Sequence, residues 1–289
     1  MRRPIVFTVD NKYIRPLAVV LESLKRTLLY KRKVIIVHEN LSIVHQKKLQ
    51  NWLNDSFLDL EFVCINSGLS DLNLPHHFTT ASLLRLIMIK YLPYPEVIYI
   101  DADALVCGDF TVIDNIRLDK YILAACIRKL PRDLTEYGFC KIFNYFESGF
   151  LIINCERFLF EEIDKKSIEL IKLHDFDYPD QDALNVCCLN WLELPPNLIL
   201  SLATIGDPVK IIPKYTVVFQ FPGSNKPWHP FNNHPARKLF ADHLYKTPYK
   251  FSPPGLGDFR VRSLIARLWD CICASSRRAI SLLQPWKSG

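Results

Sequence analysis

Two carboxylates one residue apart, Asp101 and Asp103, come directly after an apolar run at residues 96–100. Side chains alternate across a strand, so both carboxylates would leave the same face and repel each other unless a cation lies between them. Aspartate is also common in loops that follow strands, so an ordinary loop is the alternative. If the pair has a chemical role, it requires a positive partner.

Other polar residues stand where predicted elements begin or end. Asp10 closes the first apolar run, and Asp180 with Gln181 opens a predicted helix. The alternative role for Asp180 is an N-cap that accepts hydrogen bonds from backbone N–H groups. Lys226 lies in a loop rich in proline and glycine, where a solvated lysine is the alternative to an anion site. Arg85 lies in a predicted helix, where a surface arginine beside an acid is equally typical.

The elements that must position these residues alternate between β-rich runs and helical patterns. The predicted strands are residues 4–10, 33–39, 60–66, 96–100 and 145–154, and the predicted helices are residues 16–29, 43–53, 79–92 and 156–173. This alternation predicts an α/β domain with a mainly parallel sheet, whose ligands bind beyond the carboxyl ends of the strands. Asp10, Asp101 and Asp103 all fall there. No G-x-G-x-x-G motif follows the first strand, so a standard dinucleotide fold is not supported.

Composition predicts one main domain with a tail. The 289 residues are 49% hydrophobic and 12% aromatic, and no Gly/Ser linker or internal repeat divides them. The nine cysteines lack zinc-ligand spacing and several lie in apolar runs, which indicates a reducing compartment. Neither a signal peptide nor an apolar run long enough to cross a membrane is recognisable, so we expect a location on the cytoplasmic side.

Charge is concentrated near the C-terminus. Residues 256–289 contain six basic and two acidic residues, which is +4 of the net +6 of the chain. The remainder is nearly neutral, which argues against a nucleic-acid-binding protein, because such proteins usually spread basic surface over the folded domain.

The motifs, taken in order, resemble those of glycosyltransferase family 8, the retaining GT-A enzymes that include bacterial lipopolysaccharide galactosyl- and glucosyltransferases and glycogenin. The matching segments are FTVD at 7–10, Arg85, DAD at 101–103, YFESG at 145–149, LIIN at 151–154, DQD at 180–182 and GSNKPW at 223–228. A lone D-x-D is weak support, whereas the ordered set is strong. The resemblance implies a GT-A fold, with a single Rossmann-like, mainly parallel sheet domain at residues 1–250 flanked by helices.

The resemblance also implies a reaction and a donor site. A hexose, galactose in preference to glucose, would pass with retention from a UDP-sugar to a lipopolysaccharide or lipooligosaccharide core acceptor. A hard divalent cation, Mn²⁺ with Mg²⁺ as the alternative, would hold the diphosphate and help it to leave. The residues implied for donor binding are Asp10, Arg85, Asp101, Ala102, Asp103, Glu147, Gly223 and Lys226, with Asp101 and Asp103 as metal ligands. Asp180 and Gln181 match positions beside the anomeric carbon, and His77 matches a position near the acceptor.

Two residues depart from the pattern of the family. Gln220 stands where a histidine usually completes the metal site, and an amide oxygen is a weaker donor than imidazole for manganese. Glu147 stands where many relatives carry asparagine; it could bond donor-sugar hydroxyls or serve as a nucleophile, and we favour the first. These two changes keep open a non-catalytic relic that binds nucleotide-sugars at the membrane. The twelve tyrosines of the chain also leave open a self-glucosylating enzyme like glycogenin, which needs an acceptor tyrosine on its own surface.

The tail, residues 256–289, combines arginine and tryptophan with apolar residues at helical spacing. This pattern predicts a basic amphipathic helix that attaches the enzyme to the inner face of the cytoplasmic membrane, near a lipid-linked saccharide acceptor. The alternative is a helix that packs on the core of the enzyme itself.

Overall fold

The computed structural model describes residues 2–72, 74–75, 78–128, 131–195, 198–201, 216–223, 225–229 and 234–250. These residues belong to one compact unit, Met1–Lys250. His77 and the predicted tail lie outside the described residues, so the division between a catalytic domain and a tail stays a prediction.

The strands are, in chain order, β1 Ile5–Thr8, β2 Arg32–His38, β3 Leu58–Cys64, β4 Glu96–Ile100, β5 Ala104–Val106, β6 Leu123–Ala125, β7 Phe150–Asn154, β8 Trp191–Glu193, β9 Ile199–Ser201 and β10 Val218–Gln220. The helices are α1 Ile14–Thr27, α2 Ile43–Leu53, α3 Thr80–Ile87, α4 Thr111–Asp114, α5 Cys155–Phe160, α6 Ile163–Leu173, α7 Pro179–Cys187 and α8 Arg237–Leu244. No helix in the described ranges combines the length and apolarity that crossing a bilayer requires.

A seven-stranded sheet forms the centre, in the order β3-β2-β1-β4-β7-β6-β8. Four of its six strand pairs are parallel, and β7 runs antiparallel to both of its neighbours. The predicted mainly parallel α/β sheet is therefore confirmed. Its central strands are buried on both faces, which explains why β1 and β4 read as nearly continuous apolar runs.

A second sheet of three strands, β5-β10-β9, packs on the far side of α1. For this reason α1 is buried on two sides: Leu17 and Leu21 belong to the core under the large sheet, whereas Val19 contacts the cluster that contains Phe219 and Phe240. The second sheet matters for function because β5 follows the D-x-D motif directly and β10 carries Gln220 into the lysine loop.

Two predicted helices differ from those observed. The helix expected at residues 79–92 ends at Ile87 and continues as a 3-10 turn, Met88–Tyr91. The helix expected at residues 156–173 is two helices, because Glu162 adopts a left-handed conformation with φ 53° between α5 and α6. A left-handed residue cannot continue a right-handed helix, so the chain changes direction there.

The amino ends of the parallel strands are joined by a buried network of charged residues. Arg32, of which 1% is exposed, donates to the carboxylate of Asp114 at 2.5 Å and to the backbone oxygen of Arg3 at 2.6 Å. The hydroxyl of Tyr30 donates to the same oxygen of Asp114 at 2.8 Å. Arg3 also reaches Glu96 at the start of β4 at 2.5 Å. We call these five residues the amino-end network.

Candidate active site

Asp10 and Asp101 come after neighbouring parallel strands, at the carboxyl ends of both. β1 and β4 pair in parallel, with Val6 opposite Tyr99, so their carboxyl ends lie side by side. The hydroxyls of Thr8 and Tyr99 lie 3.1 Å apart and join the two strand ends. The predicted position of the site, beyond the carboxyl ends of the strands, is where these residues lie.

The D-x-D motif is a turn rather than a piece of strand. β4 ends at Ile100 and β5 begins at Ala104, so the strand alternation expected to place Asp101 and Asp103 on one face is wrong. Each carboxylate instead has its own cationic partner. Arg85 Nη2 lies 2.8 Å from Asp101 Oδ1, and Lys226 Nζ forms an ion pair with Asp103 Oδ2. Ala102 between them is 5% exposed and fixes the turn against the core.

Arg85 joins three of the motifs. Besides Asp101, its guanidinium contacts Asp180 Oδ2 at 3.1 Å and donates to the backbone oxygen of Ser148 at 2.9 Å. Burial alone would lower the pKa of Arg85, but the charges of Asp101 and Asp180 outweigh that effect and raise it, so the side chain stays cationic. The alternative of a surface arginine is excluded, because Arg85 is 6% exposed.

The surroundings of Asp101 favour the charge of this side chain less than the surroundings of Arg85 favour the charge of the guanidinium. Burial raises the pKa of Asp101 and is opposed by the Arg85 guanidinium, while the neighbouring charge of Asp103 adds to the rise. The Tyr99 hydroxyl donates to Asp101 Oδ1 at 2.7 Å and favours the ionised form. Positive charge near Asp101 therefore stabilises the ionised form of its carboxylate.

Lys226 is held by the second sheet. Its amine donates to the backbone oxygen of Phe221 at 2.6 Å, and Phe221 N donates to the backbone oxygen of Asp103 at 3.1 Å. β10 pairs antiparallel with β5, with Gln220 opposite Ala104. The loop also contains Gly223, whose φ of 77° is left-handed and therefore suits glycine. These contacts place the lysine of the loop directly at the D-x-D turn.

Gln220 and Asp101 approach the same space above Gly149. A Cβ added at Gly149 would collide with the side-chain amide of Gln220 and would lie 2.7 Å from Asp101 Oδ2. Glycine at 149 therefore keeps this space clear. Gln220 is 6% exposed, and its predicted place beside the metal motif agrees with this geometry.

The donor atoms present fit a hard divalent cation. Within the described residues, Asp101 Oδ2 and Asp103 Oδ1 accept no hydrogen bond, so each carboxylate keeps one oxygen available. Carboxylate and amide oxygens are ligands of the kind that Mg²⁺ and Mn²⁺ take. The described part of the chain contains no group of three or more His, Cys, Asp or Glu residues that could hold a metal ion.

Asp180 and Gln181 occupy the first turn of α7 and face Ser148. Gln181 Oε1 accepts from Ser148 N at 2.9 Å, and Asp180 Oδ2 accepts from the Ser148 hydroxyl at 3.1 Å. The N-cap of α7 is Tyr178, followed by Pro179, so the alternative role of Asp180 as an N-cap is wrong. Its carboxylate is bound by Arg85 and Ser148 instead.

Glu147 lies beside the same segment and is paired loosely. Its carboxylate is 3.9 Å from Arg128 Nε. Burial raises the pKa of Glu147; the Arg128 charge opposes this rise and the charge of Asp101 adds to it. Within the described residues, the carboxylate of Glu147 is therefore held only by this long ion pair.

Asp10 caps the short 3-10 turn Asn11–Tyr13. Its Oδ1 accepts from Lys12 N at 2.9 Å and from Tyr13 N at 3.0 Å, which fixes the carboxylate at the end of β1. Tyr13 in turn packs edge-on against Trp228 of the lysine loop, with ring centroids 6.0 Å apart. Through Tyr13, Asp10 is thus connected to the loop that carries Lys226.

Sequence reasoning missed three supporting residues. Ser148 joins Arg85, Asp180 and Gln181, and Tyr99 holds Asp101. Asp182 is fully buried and accepts from Arg132 at 3.0 Å and from the Tyr145 hydroxyl at 2.6 Å. Ser148 and Asp182 stand inside motifs that had been recognised, but which side chain would contact which cannot be deduced from spacing.

Comparisons with known proteins agree with this arrangement. The family model described as glycosyl transferase family 8 matches residues 4–231. The chain is 26% identical over 271 residues to general stress protein A of Bacillus subtilis, which covers 85% of this chain and 94% of that protein. It is 26% identical to the lipopolysaccharide 1,3-galactosyltransferase of Salmonella typhimurium, over 60% of this chain and 56% of that enzyme. The lipopolysaccharide 1,2-glucosyltransferase of Escherichia coli K12 is 23% identical, over 55% of this chain and 52% of that enzyme.

The chain thus spans about half the length of these two lipopolysaccharide transferases. Among solved structures, galactosyltransferase LgtC in complex with donor and acceptor sugar analogues superposes with a TM-score of 0.73 at 21% identity, covering 89% of this chain and all of that one. This likeness shows that the two chains share the GT-A fold.

Proposed function

Because this chain belongs to glycosyltransferase family 8, we propose that it is a retaining hexosyltransferase that moves galactose, in preference to glucose, from a UDP-sugar to a saccharide of the lipopolysaccharide core. The observation that carries this proposal is the Arg85 network. One buried guanidinium joins the D-x-D turn, the segment before β7 and the first turn of α7. Membership of the family, together with matches to a galactosyl- and a glucosyltransferase of lipopolysaccharide, supports the substrate class.

Donor binding would use the edge beyond β1 and β4. Asp10 and the Tyr13–Trp228 contact would frame the nucleotide, and Lys226 would face the diphosphate. Asp101, Asp103 and Gln220 would hold Mn²⁺ or Mg²⁺, which neutralises diphosphate charge when bound. Lys226 would exchange its ion pair with Asp103 for the phosphate oxygens and stabilise the leaving group as its charge grows.

At the reacting carbon, the residues of this chain position and stabilise rather than attack. Asp180 is held by Arg85 and Ser148, an arrangement that suits fixing the first turn of α7 better than nucleophilic attack. The amide of Gln181 is neutral and fixed through Ser148, so it would steady positive charge at the anomeric carbon. We therefore favour a front-face route, in which the departing phosphate helps to deprotonate the acceptor hydroxyl.

The membrane part of the proposal rests on sequence. Residues 256–289 carry most of the net positive charge, and they would hold the enzyme at the inner face of the cytoplasmic membrane, where a lipid-linked acceptor lies. His77 would lie near that acceptor.

The proposal is tested by UDP release from purified full-length protein supplied with UDP-galactose or UDP-glucose and a truncated lipopolysaccharide acceptor, with and without EDTA. We expect acceptor-dependent release that prefers UDP-galactose, needs the metal and is abolished by Asp103→Asn. Asp55→Asn, at an exposed position after α2, is the matched control. NMR of the product should show a retained anomeric configuration.

Two results would point to the alternatives. UDP-sugar binding without turnover, under any metal, would indicate a binding-only protein. A mass increase of the enzyme itself in the absence of acceptor would indicate self-glycosylation.

The metal assignment has a separate test. Gln220→His should tighten Mn²⁺ binding, because imidazole is the better ligand for this ion. Binding is followed by the loss of the free Mn²⁺ signal in electron paramagnetic resonance. An unchanged affinity would place residue 220 outside the metal shell.

A further inference from the structure

The first turns of α2 present apolar and basic side chains to solvent. Ile43 and Val44 are 60% and 66% exposed, and Lys47 and Lys48 are exposed beside them. Lysine carries an apolar stem and a charged end, so it extends rather than interrupts such a surface. Because α2 contains no acidic residue, its own sequence does not neutralise these charges.

The segment that follows α8 joins this surface. The Tyr249 hydroxyl lies 3.1 Å from His45 Nδ1, and Lys48 Nζ lies 4.5 Å from the centroid of the Tyr249 ring. Tyr245 is 66% exposed, and residues 245–250 contain no acid. Lys250, the residue after Tyr249, has its Nζ 5.6 Å from the centroid of the Tyr245 ring, which links Tyr245 to this segment. We call the exposed residues of α2 and of this segment the basic face: Ile43, Val44, Lys47, Lys48, Tyr245, Lys246 and Lys250.

The basic face borders the carboxyl ends of the strands of the large sheet, where the proposed donor site lies. Asn11, the residue after Asp10, accepts from Ser42 N at 2.9 Å and donates to the backbone oxygen of Asn40 at 3.0 Å. Helix α2 begins one residue after Ser42, so its first turns are tied to the turn that Asp10 caps. A partner on the basic face would therefore lie beside the opening of the site.

We propose that the basic face of the folded domain binds an anionic phospholipid surface, in addition to any contact made by residues 256–289. Charge complementarity supports this occupant: four lysines stand on acid-free segments around exposed aliphatic and aromatic side chains, as in proteins that lie at the bilayer interface. The chain also continues from Lys250 into a sequence rich in arginine. The contact would turn the proposed donor site towards lipid-linked saccharides. Binding to the lipid surface itself does not require the transfer reaction.

The test is co-sedimentation of the full-length chain with vesicles of phosphatidylglycerol and phosphatidylcholine, compared with phosphatidylcholine alone. The variant Lys47→Glu/Lys246→Glu changes two lysines that form no ion pair within the described ranges. We expect it to weaken binding to anionic vesicles by at least about thirtyfold. The control Lys120→Glu/Lys172→Glu makes the same charge change at exposed positions just before β6 and on α6, outside the basic face, and should change binding far less.

Circular dichroism, and UDP release from the UDP-sugar in the presence of a soluble acceptor, are measured on the same samples, so failure to fold or to turn over is distinguished from loss of lipid binding. A second variant, Ile43→Ser/Val44→Ser, should make the remaining binding more sensitive to salt. Equal loss in both lysine variants, unchanged binding in Lys47→Glu/Lys246→Glu, or no preference for anionic vesicles would overturn the proposal.

Discussion

The two ends of the large sheet each bury an arginine against carboxylates, but the carboxylates differ in what they leave available. In the amino-end network, Arg32 and Tyr30 both donate to one oxygen of Asp114, and the other oxygen is sealed from solvent. At the carboxyl end, 27% of the Asp101 side chain remains exposed although Arg85 and Tyr99 both donate to it. Buried charge alone therefore does not mark an active site. What distinguishes the carboxyl end is an accessible carboxylate oxygen next to the space that Gly149 keeps clear.

The largest effect is expected for Arg85→Met, which separates the motifs at the carboxyl end. Leaving Asp101 and Asp180 without their shared cation should reduce the free energy of unfolding by about 3–5 kcal/mol. It should also reduce kcat/KM by at least about 10³-fold, because the lost contacts order the charges of the site. Urea denaturation and UDP release measure the two effects. Arg26→Met, at an exposed position in α1, is the control and should change neither.

Arg32→Met tests the other half of the comparison. Removal of this arginine leaves Asp114 buried without its cation, so we expect a similar loss of about 3–5 kcal/mol in the free energy of unfolding. Turnover per folded molecule should be unchanged, since the network lies at the opposite end of the strands. A loss of turnover in fully folded Arg32→Met protein would mean that the two ends are coupled, and the distinction between them would fail.

Gly149→Ala should lower activity, and it should lower the free energy of unfolding less than the two arginine variants do. The added Cβ would press on Asp101 Oδ2 and on the amide of Gln220, so both would move away from the positions that suit a cation. We expect turnover to fall by about 10²-fold, as for other displacements of about 1 Å in an active site. Mn²⁺ affinity should fall with it. Unchanged affinity would show that the space above Gly149 is not the cation site.

The smallest effect is expected for Glu147→Gln and depends on pH. Because burial raises the pKa of Glu147 above its ordinary value of 4.5, the folded state binds the proton more tightly than the unfolded chain. The ionisation of Glu147 therefore lowers the free energy of unfolding as pH rises from 4.5 to the raised pKa of the folded state, and the loss persists at higher pH. Glu147→Gln should raise the thermal midpoint at pH 7, and this gain should vanish below about pH 4.5. A loss of stability at pH 7 would show instead that the ion pair with Arg128 dominates.

Local patterns in the sequence were enough to predict individual elements. The bounds of α2 and β4 agree with the predicted residues 43–53 and 96–100, because apolar spacing and flanking polar residues are local signals. The break at Glu162 was missed, since apolar spacing continues across it. The reversed direction of β7 was also missed, because neighbours in a sheet are chosen by long-range packing.

For the site, sequence order identified the segments but not their contacts. Lys226 and Asp103 are separated by 123 positions, and Arg85 and Ser148 by 63. Spacing in a chain says nothing about pairing over such separations, so Arg85 could be read as a surface residue. The three-stranded sheet that brings the lysine loop to the D-x-D turn was not predicted either, because its strands are only three residues long.

The reversed direction of β7 has a consequence for how such an enzyme can diversify. β7 runs antiparallel to both β4 and β6, so the chain leaves β6 and enters β7 at the end of the sheet where Asp101 lies. The link from β7 to α5 has no intervening residue and lies at the other end. Recognition loops can thus lengthen or be grafted between relatives on one edge while the framework stays unchanged. Within the connection from β6 to β7, the exposed or loosely paired positions around Arg128 and Glu147, and not the buried Ser148, are where we expect exchange between relatives to change sugar selectivity while the protein stays folded.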